Sequence, residues 1–135
     1  MNGQIPRSGP GPRSLAVQLG AGRALIAAAI VAAPVPAARL LGADTATARR
    51  ITWLTRMMGV RDGILGVGGL DSVRREVGAT QWLLGAGVAD AVDALVIGAA
   101  LKQGRARGVV PAAVVLGAGA SAAVHAVTAF RLRRR

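Results

Sequence analysis

Cysteine is absent from this 135-residue chain, and with it go disulfide frameworks, thiolate zinc sites, iron–sulfur clusters and thiol catalysis. A single histidine, His125, cannot build a histidine metal site. Three aromatic residues, Trp53, Trp82 and Phe130, are too few for the stacking platforms that hold bases or sugars. Acid is scarce as well: 6 Asp+Glu stand against 17 Lys+Arg, giving a formal charge of +11 and a pI near 12.0. Such a charge ordinarily points to nucleic acid or an anionic surface. Yet 53% of the residues are hydrophobic and mean hydropathy is +0.47, which no ordinary nucleic-acid-binding domain needs. The two facts coexist only if the charges are segregated from long apolar runs, and mostly they are. The composition therefore predicts an integral membrane protein and no nucleic-acid partner.

Four apolar segments of about 20 residues follow one another, each near the length of a membrane-crossing helix. They cover residues 15–34, 51–70, 80–101 and 109–130. Pro34 and Pro36 stop the first, and four arginines end the last. Residues 35–50 read as a connector, and 71–78 and 102–108 as short charged turns. The expected fold is all-α: a four-helix transmembrane bundle, up-down-up-down. A soluble bundle would need polar outer faces, but Ala24–Ala33 has no polar side chain and Ala112–Val124 has only Ser121. The three aromatics near the span ends suit interfacial anchors. Residues 1–13, with Arg7, Arg13, three Gly and three Pro, read as a disordered basic arm, and 132–135 as a basic tail. The run after the arm is too long for a signal-peptide core, so no cleavage is expected.

Flanking arginines set orientation. The side of the two termini collects Arg7, Arg13, Arg74, Arg75, Arg131, Arg133, Arg134 and Arg135. The other collects Arg39, Arg49, Arg50, Lys102, Arg105 and Arg107. The excess favours a multi-pass protein of the cell membrane with both termini cytoplasmic. The outer charges would touch anionic lipid headgroups.

The informative charges lie inside the spans: Arg23, Arg56, Arg61, Asp62, Asp90 and Asp93. Each costs on the order of 2.5–3.5 kcal/mol at the centre of a bilayer and should face inward and pair. Counting about 1.5 Å per residue from each span's midpoint matches Arg61 with Asp90, Arg56 with Asp93 and Arg23 with Asp62. Three arginines thus meet three aspartates in a neutral network. It either fixes helix register or serves a function. His125 has no assigned partner; it is either a polar filler or a proton relay beside the carboxylates, since its pKa lies near neutrality.

Gly59 and Gly63 form a GxxxG pair, extended by Gly66, and predict close helix packing. Gly117, Gly119 and Ala122 mimic a dinucleotide fingerprint, but no acidic residue follows about 20 positions later, so the motif is rejected. There is no Walker A sequence, nucleophile elbow or HExxH motif. No catalytic, cofactor-binding or metal residue is assigned.

Gly22-Arg23, Arg39-Leu40-Leu41-Gly42, Arg56-x-x-Gly59-x-Arg61-Asp62-x-x-Leu65-Gly66, Trp82 and Ala89-Asp90-x-x-Asp93-Ala94 together resemble a family of small four-helix membrane proteins of unknown function from high-GC bacteria. That family is related at fold level to DoxX-like proteins. The likeness covers residues 20–130 and implies a four-helix membrane fold, with the charged positions as its signature and no established activity. Two functions are expected to compete. One is a structural or accessory membrane subunit, as a homo-oligomer or bound to another membrane protein. The other is a small proton-linked carrier using the Arg, Asp and His residues.

Overall fold

Proline opens the first two helices, where its missing N–H costs nothing and its fixed φ is already helical. Helix α1 spans Pro12–Ala32 and α2 spans Pro34–Leu40. The computed structural model describes residues 11–134 and is entirely helical in its regular structure there. Gly42, with φ +95°, ends α2. Asp44 caps the next helix, α3 (Thr45–Arg50), by accepting from the backbone N–H groups of Ala46 and Thr47. The Thr47 hydroxyl also donates to this carboxylate, which holds Asp44 below the ordinary aspartate range. Three long helices complete the chain: α4 (Thr52–Arg75), α5 (Ala79–Lys102) and α6 (Val109–Arg133).

Among the described residues six helices therefore stand where four were expected, because the connector 35–50 contains α2 and α3. The turn expected over 71–78 shrinks to Glu76–Gly78. Glu76 closes α4 in the left-handed region at φ 59°, and the Val77 N–H bonds back to the Ser72 carbonyl. Most of the N-terminal arm lies outside the described residues. Its last two positions, Pro12 and Arg13, already belong to α1, and the tail residues Leu132 and Arg133 belong to α6.

Contacts fix the directions. Gly20 of α1 lies by Gly66 and Leu70 of α4, whereas Ile30 and Val31 lie by Gly59. Trp82 of α5 covers Gly68 while Asp93 meets Arg61, and Gly87 meets Ala122 while Gly98 meets Val115 of α6. Each long helix is thus antiparallel to the next, and α6 returns to α1. Near the chain termini, Ala16, Val73, Leu83 and Ala129 form a small buried apolar cluster. Several threonine hydroxyls satisfy themselves locally, as Thr55 does with the Ile51 carbonyl and Thr128 with that of Val124.

Three of the four long helices, α1, α5 and α6, are long and apolar enough to cross a membrane. Helix α4 has the length, but Arg56, Arg61, Asp62 and Asp71 lower its hydropathy.

Candidate functional site: an interior ionic cluster

All four long helices send polar side chains to one interior point. Arg23 leaves α1 beside Ala24, whose backbone approaches Gly66 so closely that a Cβ there would lie 2.8 Å from the Ala24 nitrogen. That close approach brings the guanidinium within reach of both α4 and α5. Arg23 Nη2 donates to Asp90 Oδ1 and lies 3.5 Å from Asp62 Oδ1, while Nη1 donates to the Ala86 carbonyl at 3.2 Å. Its Nε is buried with no hydrogen-bond partner among the described residues.

Arg61 forms the second centre. It holds Asp93 through both terminal nitrogens, at 3.1 and 2.6 Å, in the forked geometry suited to a carboxylate. It also donates to Asp62 Oδ1 from Nε and Nη2, at 3.2 and 3.1 Å. Asp62 thus bridges the two arginines. From α6, the Ser121 hydroxyl donates to Asp90 Oδ2 at 2.6 Å, and His125 Nδ1 stands 3.5 Å from the same oxygen. His125 Nδ1 also lies 2.8 Å from the Ser121 carbonyl. With Nδ1 protonated, the ring donates to that carbonyl.

The cluster contains Arg23, Arg61, Asp62, Asp90 and Asp93, but not Arg56. The pairs also differ from those expected by depth, with Arg23 on Asp90 and Arg61 on Asp93. Helix ends explain the difference. From the observed midpoints, Arg23, Asp62 and Asp90 lie within about 2 Å of one level, and Arg61 and Asp93 share a level about 4 Å out. Helix α4 runs on to Arg75, which moves its centre and leaves Arg56 about 11 Å away. Arg56 instead donates from Nε to the Val31 carbonyl at 3.4 Å, a cation at the C-terminal end of α1.

Ser121 was not among the expected site residues, although it is the sole polar side chain of its stretch, which was the signal available. His125 is buried against Asp90 rather than lying unpartnered. Of the glycines, Gly59 and Gly66 face α1 without room for a methyl group, whereas a Cβ at Gly63 would meet the Ala27 Cβ at an ordinary 3.7 Å.

The site is closed. A cavity of about 10 Å³ beside Arg23 and His125, walled by apolar residues such as Leu83 and Ala86, has room for one water molecule at most. Among the described residues no group of three or more His, Asp or Glu side chains is arranged to hold a metal ion. No family model, curated protein or solved structure matches the chain.

Proposed function

We propose that the chain is a multi-pass integral membrane protein of the cell membrane. In this reading α1, α4, α5 and α6 form an up-down-up-down four-helix bundle that serves as a structural or accessory subunit. One observation carries it: polarity is inverted. Leu25 and Leu95 are each 73% exposed and Leu116 is 74% exposed, whereas Asp90 and His125 are 7% and 4% exposed. In water both arrangements cost free energy. In hydrocarbon the outward leucines are solvated, and interior charges find in one another the partners lipid cannot supply. Helix α4 would cross beside its apolar neighbours because Arg61 and Asp62 are paired within the cluster.

The small cavity beside Arg23 and His125 supports the subunit role, since it offers no room for a substrate. The DoxX-like likeness and a bacterial origin belong to the same proposal, supported by the RxxGxRDxxLG and ADxxDA strings that supply the cluster. Cytoplasmic termini are supported by the arginine excess on that side. Membranes washed with alkaline carbonate should retain the protein, and reporters at either terminus should both read cytoplasmic. Release by carbonate overturns the membrane reading, whereas two external reporters overturn only the orientation.

A proton-linked carrier is the second reading, and a charge count favours it. The cluster holds three carboxylates against two guanidiniums, with His125 beside Asp90. Neutrality at membrane depth therefore takes one further proton.

A further inference from the structure

Arg56 has no carboxylate partner among the described residues; its one hydrogen bond there runs from Nε to the Val31 carbonyl. It is exposed on α4 about one turn from the helix start at Thr52. Below it, Val60, Gly63 and Val67 continue the same helix face at the i+4, i+7 and i+11 positions. These three line an open groove of about 470 Å³ with Ile64, Gly68 and Trp82, and no charged side chain enters that lining. Gly63 and Gly68 provide the depth, and the Trp82 ring lying over Gly68 closes the far end. The stripe from Arg56 to Val67 is about 16 Å long, close to half the ~30 Å hydrocarbon thickness of a bilayer.

We infer that this face is a binding site for one anionic phospholipid, with the phosphate on the terminal nitrogens of Arg56 and an acyl chain lying in the groove. The inference rests on the membrane reading above. Charge complementarity selects the occupant. All 6 acids of the chain are already engaged within it. Asp62, Asp90 and Asp93 belong to the cluster, Asp44 caps α3, Asp71 pairs with Arg75, and Glu76 with Arg13. A second copy offers Arg56 only surface carboxylates that already have partners, such as Asp71 and Glu76, whereas a lipid phosphate matches the guanidinium fork and brings its own apolar chain. Arg39, Arg49 and Arg50 lie at the same end of the molecule and draw anionic headgroups toward it.

Native mass spectrometry of the full chain tests this, after incubation with equal amounts of phosphatidylglycerol and phosphatidylcholine. Wild type should retain one phosphatidylglycerol with about a fivefold preference, the worth of one arginine near an anionic surface. Arg56→Gln should abolish the preference and Arg56→Lys keep it. Arg105→Gln, at the same end but off the groove, should leave it unchanged. Ile64→Trp, which fills the groove and leaves Arg56 intact, should lower retention, and inorganic phosphate should not displace the lipid. Equal retention of both lipids by wild type, or an unchanged preference in Arg56→Gln, overturns the proposal. So does a lipid-free dimer broken by Ile64→Trp, which would assign the groove to a second copy. If Arg56→Gln fails to fold, the wild-type preference and Ile64→Trp still decide. Carbonate release would instead strike the membrane reading itself.

Discussion

Arg56 and Arg61 share one helix yet meet different environments, because five residues turn a helix through about 500°, or 140° past a full revolution. Arg61 faces the interior and grips Asp93 with both terminal nitrogens, whereas Arg56 faces outward. Asp90 joins α5 to both α1 and α6, accepting from Arg23 and Ser121 with His125 beside it. Its replacement by Asn would leave Arg23 without a full counter-charge at a site where one Nε already lacks a partner. Breaking a buried pair in this way costs about 3–5 kcal/mol. Asp71, whose carboxylate meets Arg75 on the exposed end of α4, is worth about 0.3–0.5 kcal/mol as an i,i+4 pair. Thermal unfolding in detergent should therefore separate Asp90→Asn from Asp71→Asn widely. Equal shifts would mean that the cluster does not hold the helices together.

At the scale of the element, α4 decides the architecture, because its glycines set how near α1 can come. An added methyl at Gly66 would lie 2.8 Å from both the Ala24 nitrogen and the Gly20 carbonyl oxygen, where only backbone could yield. Gly66→Ala should cost about 1–3 kcal/mol as an overpacked contact. Gly63→Ala should be tolerated, and the two variants compared by unfolding midpoint check the claim; equal midpoints would remove Gly66 from the interface. The sequence made the long helices readable because their apolar runs of about 20 residues outlast the few charges within them. It concealed their ends, since Asp71, Arg74 and Arg75 resemble a turn while continuing α4 as helix. That short extension displaced a midpoint and with it the expected pairs. Pro34 and Asp44, read as a stop and a loop charge, are the opening signals of α2 and α3. Hydropathy also says nothing about which way a side chain turns, so the separation of Arg56 from Arg61 and the contact of Ser121 with Asp90 emerge only once the helices are packed.

At the scale of the molecule, four helices converge on a centre with space for at most one water, so the scaffold reading expects no conduction. Proteoliposomes should carry no pH-dependent proton flux beyond empty vesicles. A flux abolished by Asp90→Asn would replace the scaffold with the carrier. The same cluster also bears on biosynthesis. Arg23 is synthesised 67 residues before Asp90, the partner it needs at membrane depth. At about 5–20 residues per second that interval lasts several seconds, during which the first helix carries a bare cation. On the membrane reading, α1 is apolar enough to cross alone but carries the cost of an unpaired Arg23 until α4 and α5 emerge. The ionic centre then favours assembly, because the cost carried by the first helix is relieved when the later helices supply Asp62 and Asp90.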